Sequence, residues 1–218
     1  MTKLFYAATP AGNKALLMLE ELGINYSKQD INVFKGIQKT PEYKEVIPTG
    51  KIPAIVEDGN VLFESGAILI SLAFKHNKFI DANNRSEILS WFFWENSELS
   101  PKFLQHYRAK TQNPDNIEMH EKLESNLKDL LTTLNTQLEG KEYIAGSFSI
   151  ADISSYTWLK NYLAKDAIVG LIDGLSNVKT WVERMDNRDA VKSMTKIASE
   201  FSREVETSIE EIMNFYNK

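Results

Sequence analysis

The chain has 218 residues, 43% of them hydrophobic and 25% charged, a balance that excludes a disordered chain and leaves room for two small packed domains. A formal net charge of -5 excludes phosphate-backbone binding as the main task, because displacing counterions from nucleic acid takes a concentrated basic surface. The absence of cysteine excludes disulfides, thiolate metal sites and a protein-borne thiol nucleophile, so any thiol must arrive with a ligand.

Met1, Thr2 and Lys3 run straight into Leu4, Phe5 and Tyr6, with no long apolar leader segment. No later stretch is apolar enough to span a bilayer, and a soluble, cytoplasmic chain with no membrane partner is expected. Leu4, Phe5, Tyr6 and Ala7 predict a short buried strand, ended by Thr9, Pro10 and Gly12. Leu16, Leu17, Leu19 and Leu22 then recur at helical spacing up to Gly23. Alternation over 26–33, with Tyr26, Ile31 and Val33, predicts a second strand reached by a helical crossover. Ala54 to Glu57, the turn Asp58, Gly59, Asn60, and Val61 to Phe63 predict an antiparallel hairpin. Ile68 to Phe74 predicts a closing helix. The first third therefore reads as βαβ followed by ββα.

A polar stretch from Lys75 to Asn84 marks a change of composition, and the boundaries are placed at 1–77 for the first domain, 78–84 for a linker and 85–218 for an all-helical domain. In that last part Trp91, Trp94, Leu99 and Leu104 mark one helix. Leu123, Leu127, Leu130, Leu131, Leu134 and Leu138 mark another, stopped by Gly140. Ser149 and Asp152 form a capping-box pattern, with Asp in place of the usual Glu or Gln, before Ile153, Tyr156, Trp158 and Leu159. Val178, Trp181, Val182 and Met185 form the next helix. Phe201, Val205, Ile209, Ile212 and Tyr216 predict a terminal amphipathic helix whose apolar stripe must dock, most simply on its own chain.

The chain has no phosphate-binding loop, no dinucleotide glycine fingerprint and no zinc-protease helix. His76, His106 and His120 lack ligand spacing, so no metal is expected. One segment is more informative: Pro48 to Ala73, "PTGKIPAIVEDGNVLFESGAILISLA", sets Pro53 before an apolar strand and Glu64, Ser65 before a helix. This segment resembles the glutathione-binding half of the glutathione transferase superfamily, whose "VPAL" and "ESxAI" signatures are written here as Ile52, Pro53, Ala54, Ile55 and Glu64, Ser65, Gly66, Ala67, Ile68. "SFSIADI" (Ser147 to Ile153) resembles the family's capping motif, which extends the likeness to nearly the whole chain. "ATPAGNKALLMLEELG", Gln38, "FESGAIL" and "WFFWENSELSP" are most similar to the nu-class and yeast prion-like branch, whose bacterial members reduce disulfides with glutathione.

The resemblance implies a thioredoxin-like α/β domain plus an all-α domain, a homodimer, and glutathione as co-substrate with a small electrophile or disulfide. A cis Ile52-Pro53 bond would turn the backbone of Ile52 toward an extended peptide ligand. Ser65 at a helix N-terminus would hold the carboxylate of a γ-glutamyl group, and Glu64 its ammonium. Gln38 and Lys51 resemble residues that contact the glycyl end. Thr9 is the expected catalytic residue, donating a hydroxyl hydrogen bond to the sulfur; Tyr6, the position of the activator in several other classes, is passed over on register. Close relatives carry asparagine two residues after that threonine, where this chain has Ala11. Trp94, Gln105, His106, Tyr107 and Arg108 are candidates for a co-substrate pocket, although aromatic residues at helical spacing also fit a core. A non-catalytic binding module and a carrier of apolar ligands remain open beside the enzyme reading.

Overall fold

The computed structural model describes residues 1–164, 169–202 and 204–217. They divide into two compact units: Met1–His76 with Arg188–Lys218, and Asn77–Asn187.

The first unit is built on a four-stranded sheet in the order β2-β1-β3-β4, with β1 (Thr2–Tyr6), β2 (Tyr26–Asp30), β3 (Ala54–Glu57) and β4 (Asn60–Phe63). β1 runs parallel to β2 through the crossover helix α1 (Pro10–Leu22) and antiparallel to β3, which pairs antiparallel with β4. The second strand stops three residues short of its predicted end. Thr9 caps α1 by accepting from the Gly12 N–H at 3.1 Å, Pro10 opens the helix where its missing N–H costs nothing, and Gly23 closes it at φ 66°. The β3–β4 turn has Asp58 at φ 51° and Gly59 at φ 77°, the pair of left-handed residues that a two-residue hairpin loop requires.

α2 (Pro41–Val46) lies before β3, and α3 (Ser65–His76) follows β4. α2 was not predicted: six residues give too short a period to read, and its start depends on the Thr40 side chain capping the Tyr43 N–H.

In the second unit α4 (Arg85–Trp94), a π-turn (Glu95–Leu99) and α5 (Ser100–Gln112) run on from one another. Pro101 lacks the N–H that the carbonyl four residues earlier would need, which accounts for the looser turn in front of it. α6 (Ile117–Gln137), α7 (Ile150–Leu163) and α8 (Ser176–Asp186) complete this unit. The expected capping box is present, and Asp152 does more than cap. Its carboxylate accepts from the Ser149 N–H and hydroxyl, both at 3.0 Å, and from the Ile144 N–H and Trp181 Nε1, both at 2.9 Å.

The compact units depart from the sequence boundaries of 1–77, 78–84 and 85–218. α9 (Asp189–Ser199) and α10 (Ile209–Asn217) belong with the sheet-bearing unit. Arg188, at the head of α9, makes a two-pronged ion pair with Glu21 of α1 at 2.6 and 2.7 Å. Ile212 is fully buried among Phe5, Tyr43, Val46 and Val56. The terminal helix starts at Ile209 rather than Phe201, whose ring instead meets Tyr6 edge to face at 6.0 Å. No helix among the described residues is long and apolar enough to cross a membrane.

Candidate functional site

Strand register gathers the candidate residues. Phe5 pairs with Ala54, and Ala54 with Phe63. The C-terminal end of β1, the start of β3 and the end of β4 therefore meet at one end of the sheet. Thr9 follows the first, Ile52 and Pro53 precede the second, and Glu64 and Ser65 follow the third. The connection carrying Gln38 starts at the same end, where the Ile31 N–H donates to the Tyr6 carbonyl at 2.7 Å.

Thr9 is half-buried. Its hydroxyl oxygen is engaged as an acceptor by Gly12, while its own hydrogen has only a 3.5 Å approach to the Ala7 carbonyl. That contact is too long to hold the proton firmly. The hydroxyl is thus polarised by one donor and ready to donate to another group. Gly12 is demanded by this turn, since a Cβ there would stand 2.1 Å from the Ala7 carbonyl oxygen. Tyr6 is different. It is fully buried, its hydroxyl donates to Asn13 Oδ1 at 2.7 Å, and burial first, then the Asp30 carboxylate, push its ionisation above the ordinary tyrosine range. Asn13 is thereby turned toward Tyr6.

The Ile52-Pro53 peptide bond is cis. Among the described residues the Ile52 N–H and C=O make no hydrogen bond. Glu64 sits at φ 67°, in the left-handed region that a non-glycine residue seldom occupies, and its carbonyl accepts from the Ile68 N–H at 3.0 Å as α3 begins. The first-turn N–H groups at Ser65, Gly66 and Ala67 have no partner within the helix, and they carry its positive dipole end.

Two placements differ from the sequence expectation. Lys51 and Glu64 form an ion pair with each other at 3.6 Å, both more than half exposed. Gln38 turns its amide inward: Nε2 donates to the Val33 carbonyl at 3.3 Å, and buried Oε1 has no partner among the described residues. Two residues that spacing did not single out hold the same loop. The Tyr43 hydroxyl donates to the Lys51 carbonyl at 3.0 Å, and Lys39 Nζ to the Gly50 carbonyl at 3.1 Å.

The co-substrate candidates belong to the helical unit. His106 is a correction: it is 1% exposed, with Nε2 at 3.3 Å from the Glu124 carboxylate, which Lys110 also pairs at 2.8 Å. Burial outweighs Glu124 and lowers its pKa, keeping it neutral. It is a core histidine, not a pocket wall. Trp94 is half-buried against the Trp91 ring at 5.1 Å, while Gln105, Tyr107 and Arg108 are exposed on α5. Among the described residues no group of three His, Cys, Asp or Glu side chains could hold a metal ion.

Residues 9–73 match the description "Glutathione S-transferase, N-terminal domain", and residues 97–196 match "Glutathione S-transferase, C-terminal domain". The Escherichia coli K12 disulfide-bond oxidoreductase YfcG is 34% identical over 201 residues, covering 87% of this chain and 92% of that protein. The chain belongs to the glutathione transferase family. A glutathione transferase family member from Pseudomonas fluorescens, solved with two glutathiones bound, is 31% identical at a TM-score of 0.83, covering 88% of this chain and 91% of that one. A Pseudomonas putida glutathione transferase, with one glutathione disulfide bound per subunit, is 28% identical at a TM-score of 0.84, covering 90% and 91%.

Proposed function

We propose that this glutathione transferase family member binds glutathione at one end of the sheet of its first unit and activates the thiol at Thr9, for attack on a disulfide or a carbon electrophile. The observation that carries this reading is the register Phe5, Ala54, Phe63, which brings the Thr9 hydroxyl, the open backbone of Ile52 and the N-terminus of α3 to one end of the sheet.

The donor set fits an extended tripeptide with a charged head. The Ile52 N–H and C=O suit main-chain hydrogen bonding with an extended peptide. Ser65 and the first-turn N–H groups of α3 suit the γ-glutamyl carboxylate, and Glu64 the adjacent ammonium. Lys51 suits the glycyl carboxylate; Gln38 reaches that end only by releasing Val33. The Lys51–Glu64 pair separates at little cost, because an exposed ion pair contributes at most about 1 kcal/mol and the ligand offers each charge a new partner. Glutathione supplies the thiol that the chain lacks. With no cysteine to form a protein mixed disulfide, reduction of a disulfide draws both electrons from glutathione thiols. The relatives solved with two glutathiones or with glutathione disulfide support this reading.

Assays of the purified protein with glutathione against 2-hydroxyethyl disulfide and a chlorinated aromatic test it; turnover of neither, with no retained glutathione, removes the enzyme reading. Ser65→Ala is expected to raise the KM for glutathione about tenfold, the worth of one charge-assisted hydrogen bond, with the fold unchanged. Unaltered KM in steady-state kinetics would take Ser65 out of the site.

We further infer a cytoplasmic homodimer. Phe74 on α3 and Phe93 on α4 are 49% and 56% exposed, surface that a partner would cover. Sedimentation equilibrium returning the dimer mass is the expected result; a monomer at all concentrations contradicts it.

A further inference from the structure

The C-terminal segment is built into the sheet-bearing unit at points that lead to the glutathione loops. Ile212 of α10 is fully buried in one cluster with Tyr43, Val46 and Ile47, and Ile37, Ile52, Ile209, Met213 and Phe215 pack against that cluster. Phe215 meets Phe5 edge to face at 5.2 Å, and Lys3 Nζ donates to the Tyr216 carbonyl at 2.8 Å. Ahead of the helix, Thr207 Oγ1 donates to the Asp30 carbonyl at 2.8 Å, at the end of β2.

Two short chains of contact run from this strap to the candidate site. Asn32, fully buried, donates from Nδ2 to the Val205 carbonyl at 2.9 Å. Its Oδ1 accepts from the Phe34 and Lys35 N–H groups at 3.1 Å, shaping the loop that leads to Gln38. On the other route Ile212 packs beside Tyr43, whose hydroxyl holds the Lys51 carbonyl next to Ile52. α2 has six residues and α10 nine, both too short to be stable alone, so each is ordered by packing on the other and on the sheet.

We propose that residues 205–217 form a positioning strap for glutathione, acting through Asn32 and Tyr43 on the loops that carry Gln38, Lys51 and Ile52. This rests on the glutathione reading. The strap touches no reacting atom; it sets how much of the loop geometry is prepaid before the ligand arrives. Because coupling between two sites is reciprocal, the ligand must tighten the strap as the strap tightens the ligand.

Tyr43→Phe removes only the hydroxyl that holds the Lys51 carbonyl, and Ile212→Ala loosens the strap from α2. Each is expected to raise the KM for glutathione about fivefold with kcat within about twofold, and the double variant less than the product of the two, since they lie on one route. Wild-type KM in Tyr43→Phe and Ile212→Ala, even with a lower urea midpoint, overturns the proposal and leaves the strap as packing alone. Should Ile212→Ala not fold, Tyr43→Phe decides together with amide hydrogen exchange on the wild type. There, saturating glutathione is expected to slow exchange across 205–217, and unchanged exchange in a protein that demonstrably binds glutathione overturns the strap. A wild type that binds no glutathione overturns the parent reading, and the strap with it.

Discussion

Asp152→Ala is expected to destabilise the helical unit by about 3 kcal/mol, read as a lower urea midpoint by circular dichroism. The carboxylate of Asp152 is fully buried and accepts from four donors on three different segments: Ile144 before α7, Ser149 at its cap, and Trp181 on α8. Alanine keeps neither oxygen. The Ile144 and Ser149 N–H groups and Trp181 Nε1 then lose their acceptor, and each unpaired buried group costs about 1–3 kcal/mol, of which relaxation recovers a part. A loss under about 1 kcal/mol would show that the four bonds do not anchor these segments. Burial also pushes the Asp152 carboxyl up to about 6, against the hydrogen bonds that lower it. The folded chain therefore takes up a proton near pH 6, and the unfolded chain only near the ordinary value of 3.8. Between those limits the folded state binds more protons, so this group adds stability as pH falls through about 6 and loses it as pH rises. The gap between wild type and Asp152→Ala is expected to widen from pH 7 to pH 4; a gap constant with pH would contradict the raised value.

Thr9 is where the largest catalytic loss is expected. Thr9→Ala should lower kcat/KM for glutathione-dependent disulfide reduction about 100-fold, the scale on which a single donor to a developing anion acts. It should also cost about 1 kcal/mol of stability, because the same oxygen caps α1. Two further substitutions separate these roles. Thr9→Ser keeps both the acceptor for Gly12 and a donor for sulfur, and activity within about threefold of wild type is expected on the same scale. Thr9→Asp keeps the acceptor at a helix N-terminus, where a carboxylate is a good cap, but offers no donor at neutral pH and opposes a thiolate. Stability near wild type with activity as low as Thr9→Ala is the expected result. Full activity in Thr9→Ala would move the activator elsewhere, and buried Tyr6, with its proton on Asn13, is poorly placed to take over.

Much of this was legible because it is written in short-range chemistry. Asp58-Gly59 names its own turn, Ser149 and Asp152 are three residues apart as a capping pair must be, and Thr9-Pro10 announces a helix start. The order of Ile52-Pro53, strand, Glu64-Ser65, helix carries the family likeness in a single segment. What stayed hidden depends on which surfaces meet. The apolar stripe on α10 showed that it must be covered, but periodicity cannot say that Tyr43 and Phe5 cover it. His106 and Tyr107 share one helix, and spacing alone could not tell that the first is buried on Glu124 while the second is 45% exposed. The Lys51–Glu64 pair joins residues whose charges were each read against a ligand, not against each other.

The central claim, that Thr9 and its surroundings favour the thiolate of bound glutathione, is tested most directly by titrating the ultraviolet absorbance of thiolate in the glutathione complex against pH. A midpoint well below the value of about 8.5 for a free cysteine thiol is expected, restored toward that value in Thr9→Ala. A wild-type midpoint equal to that of free glutathione, with binding confirmed in the same sample, would contradict it.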